Sequence, residues 1–210
     1  MEKVIFNDLL LKPIINGEIT QFRKIVEPRK LELWGNEFVC DILSVIRGNE
    51  TKIKTYRDML GDLSNYESGD VLAIAQSYKS IALERPNPEC YPFWSLLQNE
   101  AGWHDKIFVR PENMAHFIEI KGCRLSRLQD LSESDIPQYG IKQLANRWVI
   151  STFSSDSYDS PERAYTRLIS EIFGASVVAE NPVCVSYDFT IHTGQIPFLS
   201  SPTEKNHERI

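Results

Sequence analysis

Residues 160–191, SPERAYTRLISEIFGASVVAENPVCVSYDFTI, carry the strongest secondary-structure signals in the sequence. Ser160 suits the N-cap of a helix, Pro161 its first position and Gly174 its end. Val183–Ile191 is apolar and predicts a closing strand. Between Pro161 and Gly174 the apolar residues recur at helical spacing and predict one broad buried stripe: Ala164, Tyr165, Leu168, Ile169, Ile172 and Phe173. The segment therefore predicts a domain that contains both helix and sheet.

Other segments extend this prediction toward the N-terminus. Asn7 or Asp8 predicts the start of a short helix that runs toward Gly17, although Pro13 within it lacks a backbone donor. A second short helix is expected to open at Pro92. Apolar segments predict further strands at Phe38–Val45, Val71–Tyr78, Phe117–Leu125 and Trp148–Phe153. The strands outnumber the helices, so we expect a mixed, mainly β (α+β) fold: a small barrel-like sheet with short helices between its strands.

The domain prediction follows from where polar sequence interrupts these elements. Residues 1–192 are expected to form a single domain. Residues 47–68 are polar and without a strong period, which predicts a loop or insertion with one short helix. Residues 193–210 are mostly polar and predict a C-terminal tail.

Composition narrows the class of protein. The chain has 210 residues, of which 42% are hydrophobic and 25% charged, as in ordinary globular proteins. No apolar run approaches the roughly 18 residues that span a bilayer. The first eight residues include acidic side chains and no apolar core, which argues against a signal peptide. We therefore expect a soluble, cytoplasmic protein without a membrane partner.

Charge is distributed unevenly along the chain. The net charge is −6. Residues 12–30 contain five basic and two acidic side chains, a local charge of +3, which leaves −9 for the remainder. Because counterion release needs many cationic contacts, this balance argues against a general nucleic-acid coat. One basic segment still suits a grip on a short single strand or a nucleotide, and a solvated charged stretch explains it equally well.

The cysteines and histidines predict no metal site and no cofactor. Cys40, Cys90, Cys123 and Cys184 lie far apart and form no C-x-x-C pair, and the four histidines are equally scattered. Buried free thiols in a reducing compartment are the simplest interpretation, although an even cysteine count also permits disulfides.

Several motifs in order resemble a known family. Gly17 to Lys24 and the strand from Gly69 to Lys79 are followed by the string RLQDLSESD at 127–135 and by NPVCVSYDF at 181–189. Together, over residues 4–191, they resemble the ASCH family of the PUA-like superfamily, in the type found in phages and prophages of gut bacteria. The resemblance implies a PUA-like pseudo-barrel with helices at its rim and a cleft beside the first helix. The superfamily is associated with RNA binding, and some members are hydrolases of acetylated cytidine or ribonucleases.

This chain departs from the family at the positions of its catalytic side chains. The family signature is Gly-x-Lys-x-x-Thr/Glu-x-Arg. Here Ile19 replaces the lysine, Phe22 replaces the threonine or glutamate, and Lys24 replaces the arginine. Gln76 stands where hydrolytic members have a glutamate, and glutamine is no general base at neutral pH. The losses argue against enzymatic activity, so no catalytic residue is predicted.

The predicted nucleic-acid-binding residues combine cations, a hydroxyl and an aromatic ring. Arg23 and Lys24 suit a phosphate grip, or else charge that protects an exposed edge strand. Tyr78, beside Lys79, suits base stacking or covering of the core. Arg110 faces the same predicted cleft or pairs with a nearby glutamate. The complete set is Thr20, Arg23, Lys24, Tyr78, Lys79 and Arg110.

Two further groups have a catalytic interpretation only if partners exist. His116 begins an alternating strand, where a satisfied, partly buried histidine is the simpler interpretation and a general base the alternative. Thr20 and Ser77 are nucleophiles only beside an activating base.

Three functions therefore stand open at this point. The first is a non-catalytic module of phage origin that binds single-stranded RNA or a modified nucleotide. The second is a hydrolase of a modified nucleoside, or a ribonuclease, with a rearranged site. The third is a protein-interaction module without a ligand.

Overall fold

The computed structural model describes residues 1–47, 54–84 and 91–194. Its helices and strands follow the chain in the order β1 (Lys3–Val4), α1 (Asp8–Ile15), β2 (Gln21–Ile25), α2 (Pro28–Ile46), α3 (Tyr56–Leu63), β3 (Val71–Ile74), α4 (Tyr78–Glu84), α5 (Tyr91–Leu97), β4 (His116–Arg127), β5 (Ile141–Leu144), β6 (Arg147–Ile150), β7 (Phe153–Tyr158), α6 (Pro161–Phe173), α7 (Ala175–Glu180) and β8 (Val183–Thr193). Short 3₁₀ turns at Ala101–Trp103, Lys106–Phe108, Pro111–Asn113 and Ile136–Gln138 complete the described elements.

The fold is mixed α+β, as expected, but helix outweighs strand. About 44% of the described residues are helical and about 27% lie in strands, and the sheets are not closed. The mainly β balance predicted from the sequence is therefore wrong, chiefly because one long segment of predicted strand is helix.

That segment is α2, where Phe38–Val45 was predicted as a strand. Pro28 occupies the first turn of the helix, which continues for 19 residues through Gly35. A glycine inside a helix is unfavourable by about 1 kcal/mol, yet it does not stop this helix, whose preceding residues 29–33 are all good helix formers. None of the side chains of α2 is fully buried.

The predicted caps of two other helices are confirmed. The Asn7 side chain accepts a hydrogen bond from the Leu9 amide at the start of α1, and Pro13 lies inside that helix. Ser160 caps α6, and Gly174 ends it with a φ of 90°. The α6 stripe buries Ala164, Tyr165, Leu168 and Ile169, whereas Ile172 and Phe173 are half-buried.

The strands form two sheets. Five strands follow the order β1-β3-β4-β8-β2, and a second sheet follows the order β5-β6-β7. β1 pairs with β3 in parallel, and β2 pairs with β8 antiparallel with Arg23 opposite Ser186. β5, β6 and β7 form an antiparallel meander with an irregular register near Val149 and Ile150.

The chain divides into two compact units. The smaller unit comprises Met1–Val4, Leu72–Phe117 and a segment that begins at His192, and the larger comprises Ile5–Val71 and Ile118–Ile191. The larger unit includes α3, which lies in the predicted insertion at 47–68, and residues 48–53 of that insertion lie outside the described residues. All but the first two residues of the predicted tail also lie outside them.

Each unit has its own buried apolar side chains. In the larger unit Phe22 stacks on Tyr187 with ring centroids 4.9 Å apart and meets Phe6 edge-on at 5.3 Å. In the smaller unit Ile74 and Ile81 are almost fully buried. Burial of an aliphatic or aromatic side chain of this size stabilises a fold by about 1.5–3 kcal/mol.

Two further predictions have an outcome in the fold. Among the described cysteines, all free, Cys184 is buried and Cys123 half-buried, but Cys40 on α2 is exposed; Cys90 lies outside the described residues. Within the described part of the chain, no helix combines the length and apolar character needed to cross a membrane.

Candidate functional site

The smaller unit contains a cleft of about 520 Å³. This volume falls in the range of roughly 300–1,000 Å³ that is typical of small-molecule sites. Two of the predicted binding residues, Tyr78 and Arg110, line it. The full lining is Tyr78, Leu97, Glu100, Ala101, Gly102, Phe108, Arg110 and Asn113.

Tyr78 lies at the first position of α4, not at the end of a strand as predicted. β3 ends at Ile74, and the Ser77 hydroxyl accepts a hydrogen bond from the Ser80 amide (3.2 Å), so Ser77 caps the new helix. The Tyr78 hydroxyl accepts a hydrogen bond from the Asn113 side-chain amide (3.2 Å). This contact holds the ring at one wall of the cleft.

Gly102 allows the ring of Tyr78 to lie where it does. A Cβ atom on Gly102 would lie 2.8 Å from Cε2 of Tyr78, closer than real side-chain contacts allow. A larger residue would therefore displace the ring. This contact is not predictable from the sequence, because the two residues are distant along the chain.

Arg110 is an exposed cation at the rim of the same cleft. It is exposed and lies just before the Pro111–Asn113 turn. Among the described residues, its guanidinium has no carboxylate partner. The predicted alternative, an ion pair with Glu112 or Glu119, is not made, and Glu119 pairs with Lys121 instead.

Phe108 adds an exposed aromatic ring that sequence reasoning missed. It is 62% exposed, which is unusual for a phenylalanine. The turn that carries it is anchored by the Lys3 ammonium, which donates to the carbonyl oxygens of Ile107 and of Val109 (3.1 Å). Lys79, the residue after Tyr78, is also exposed. The cleft thus combines aromatic faces, a side-chain amide, the Arg110 cation and the Glu100 carboxylate.

Arg23 lies in the larger unit and is not a free cation. It is only 7% exposed. Its guanidinium donates to the Tyr139 hydroxyl (2.7 Å) and to the carbonyls of Arg127 (2.8 Å), Leu128 (2.7 Å) and Asp130. Four of its five N–H groups are used in this way, so the predicted phosphate grip by Arg23 is replaced by a structural role.

A polar cavity of about 390 Å³ adjoins Arg23 within the larger unit. Arg23 and Arg124 bring two positive charges to its lining, and Asp130 and Asp135 bring two negative charges. Burial alone would raise the pKa of Asp135, but hydrogen bonds from Arg124 and Ser132 outweigh it and hold that pKa below the ordinary 3.8. The guanidinium groups of Arg23 and Arg124 both pair with Asp135, so these two cations are already engaged within the protein and suit an anionic ligand poorly.

The two other predicted residues of the larger unit differ in accessibility. The Lys24 ammonium is exposed and lies 5.3 Å from the centroid of the Tyr66 ring, a cation–π distance. Thr20 is half-buried, and its backbone bonds to Gln138 and Phe189. Thr20, Arg23 and Lys24 therefore belong to the larger unit, whereas Tyr78, Lys79 and Arg110 belong to the smaller.

Two of the positions at which the sequence departs from the signature of the family it resembles, Ile19 and Phe22, are core positions. Ile19 is 1% exposed, and Phe22 belongs to the aromatic cluster of the larger unit. A lysine at position 19 would bring an unpaired charge into that core, at a cost of several kcal/mol. These replacements are consistent with local packing.

His116, which opens β4, has the partners that the sequence did not reveal. Its ring nitrogens lie 2.9 Å from a Glu84 carboxylate oxygen and 3.1 Å from the Thr193 hydroxyl. Gln76 is fully buried and donates to the same carboxylate (2.8 Å). Neither Glu84 nor Thr193 was a predicted site residue, because only the fold brings them to His116.

Within the described ranges, no group of three or more histidine, cysteine, aspartate or glutamate side chains is placed to hold a metal ion. Comparison of the chain with protein-family models, with curated proteins and with solved structures found no match.

Proposed function

We propose that this chain is a PUA-like module of the ASCH type, with a pseudo-barrel architecture, that binds single-stranded RNA through one nucleotide seated in the Tyr78 cleft. The observation that carries the proposal is the common lining by Tyr78 and Arg110. The sequence predicts both as nucleic-acid-binding residues. Tyr78 lies in α4, and Arg110 lies just before the Pro111–Asn113 turn. The motif order that resembles the family supports the same proposal.

The chemistry of the cleft suits one nucleotide better than a long duplex. A base stacks on an aromatic face whatever its identity, and a cation neutralises its phosphate. Tyr78 and Phe108 supply the rings, and Arg110 supplies the cation. A net charge of −6 disfavours contacts elsewhere on the chain, so we expect affinity in the micromolar range or weaker.

The test is fluorescence anisotropy with a short labelled oligouridylate, with uridine monophosphate as competitor. Phe108→Ala should weaken binding by about 1–3 kcal/mol if its ring stacks on a base. Because the Phe108 side chain is exposed, the substitution should not unfold the protein. Tyr78→Phe should retain affinity, because it keeps the ring. Competition by the monophosphate indicates that one nucleotide satisfies the cleft.

Salt dependence measures the phosphate contact separately. Arg110→Gln should lower the magnitude of the log–log salt slope by about 0.7, the value for one phosphate on a single strand. Lys142→Gln, which removes an exposed cation from β5 in the larger unit, should leave the slope unchanged. Equal effects of the two substitutions, or no binding at low salt, would refute the proposal.

A further inference from the structure

A chain of hydrogen bonds joins four side chains in the smaller unit. Gln76 follows β3, Glu84 ends α4, His116 opens β4 and Thr193 ends β8. The Gln76 amide donates to Oε1 of Glu84 (2.8 Å), and Nε2 of His116 lies 2.9 Å from Oε2 of the same carboxylate. Nδ1 of His116 lies 3.1 Å from Oγ1 of Thr193.

The carboxylate determines which way these bonds run. An ionised carboxylate only accepts hydrogen bonds, so Nε2 of His116 carries the hydrogen that it donates to Glu84. In the neutral imidazole, Nδ1 then presents a lone pair to the Thr193 hydroxyl, which donates to it. In its neutral form the histidine is therefore the tautomer that accepts a proton from threonine.

The side chains of this hydrogen-bond network differ in burial. Thr193 is exposed at the end of β8, and its hydroxyl makes a partly buried contact with the His116 ring. His116 is 7% exposed, so its ring is held by the surrounding protein. The Glu84 side chain is about one-third exposed and is fixed by Gln76 from the other side.

The network also retains an unused polar atom. Oε1 of Gln76 is buried and has no hydrogen-bond partner among the described residues. Buried networks with a purely structural role are normally satisfied throughout.

We propose that Thr193 and His116 are the catalytic residues of an acyl-transfer site that takes a carboxylic ester or amide, with Glu84 and Gln76 as positioning residues. Nucleophile and base lie within the roughly 2.6–3.2 Å that such pairs require, and a carboxylate orients the base from its other nitrogen. The threonine–histidine–glutamate order matches the roles of a serine–histidine–aspartate triad. The proposed site does not need a lysine at position 19 or a glutamate at position 76. It also does not depend on RNA binding.

The reaction consists of two balanced steps. Oγ1 of Thr193 attacks the acyl carbon while its proton moves to Nδ1 of His116. The tetrahedral intermediate then expels the alcohol or amine, which takes that proton as the carbon–heteroatom bond breaks. Water next attacks the acyl-threonine, passes a proton through His116 back to Oγ1, and releases the carboxylic acid.

The test uses p-nitrophenyl acetate as the probe with the full chain. We expect release of p-nitrophenolate and, in acid-quenched samples, an acetyl group on the peptide that contains Thr193. Thr193→Val, which keeps the shape but lacks the hydroxyl, should lower the rate of acetylation by at least about a hundredfold. Thr193→Ser should retain acetylation, because it keeps the nucleophilic oxygen.

The positioning role of Glu84 has its own readout. Glu84→Gln should slow acetylation by about tenfold or more, and Glu84→Asp should restore part of the rate, because it restores a carboxylate. Thr166→Ala removes an exposed threonine from α6 and should change nothing. A wild-type rate in Thr193→Val, or acetylation confined to other residues, would overturn the proposal. Because position 193 is exposed, this outcome is interpretable even if a substitution at His116 disturbs folding.

Discussion

Replacement of Arg23 by methionine separates a structural role of this residue from a phosphate-binding role. Methionine has a similar unbranched stem but no donor, so the substitution removes the guanidinium contacts and leaves the apolar packing. We expect the free energy of unfolding to fall by about 3–5 kcal/mol. If Arg23 instead served only to bind a phosphate, its replacement would change the free energy of unfolding very little.

The magnitude follows from which contacts water is able to replace. The bonds to the Tyr139 hydroxyl and the Leu128 carbonyl are buried, and each bond to a charged donor contributes about 1.5–3 kcal/mol. The Leu128 carbonyl keeps a second bond from the Tyr165 hydroxyl (2.9 Å), which limits the loss. The bonds to Arg127 and Asp130 are only partly buried, so water partly compensates for them.

Urea unfolding followed by tryptophan fluorescence measures this change. Lys24→Met is the matched control, because it removes the same charge from the next residue of β2 but loses only an exposed cation–π contact of about 0.5–1 kcal/mol. A loss below about 1 kcal/mol in Arg23→Met, or equal losses in both variants, would refute the structural role.

Two further predictions concern the larger unit. Leu168→Ala should lower the free energy of unfolding by about 2–5 kcal/mol, because this α6 side chain is 1% exposed; an unchanged urea midpoint would contradict its place in the core. Asp135 has a pKa below its ordinary 3.8, so its ion pairs stabilise the fold above that pH, and the stabilisation is lost as the pH falls through the lower, folded value. Unfolding measured between about pH 2 and 5 should therefore be less pH-dependent in Asp135→Asn, and parallel curves for the two proteins would exclude this contribution.

The elements that the sequence predicted well are those whose start and stop signals lie next to them in the sequence. Ser160, Pro161 and Gly174 act within a few residues of the helix they delimit, so α6 was predictable without tertiary information. Ser77 is a start signal of the same kind, because it caps α4, which begins at Tyr78. The prediction instead extended the apolar strand of β3 four residues too far.

The segment from 28 to 46 shows why apolar spacing alone misled. The Trp34-Gly35-Asn36 triplet resembles a turn, and the segment after it predicts a strand at Phe38–Val45. Pro28 at the first turn is the local signal for the helix that forms. In a short apolar run, the spacing of the apolar residues does not distinguish a helix from a strand.

The site residues also differ in whether the sequence alone or only the tertiary structure reveals their role. Tyr78 and Arg110 were recognisable by residue type, and the structure brings them to one cleft. Residue type alone misjudged Arg23, because the carbonyls that accept its hydrogen bonds come from the end of β4 and the loop after it, distant in sequence. The partners of His116 were hidden for the same reason.

Helix α4 connects the two sites proposed for the smaller unit. Tyr78 at its first position lines the nucleotide cleft, and Glu84 at its last position orients His116. At about 1.5 Å per residue, the two positions lie roughly 9 Å apart along the helix axis. The side chains at the two ends make separate contacts, with Asn113 at one end and with Gln76 and His116 at the other. Loss of the Tyr78 ring should therefore weaken RNA binding without removing the hydroxyl–imidazole pair, so each proposal is able to fail while the other stands.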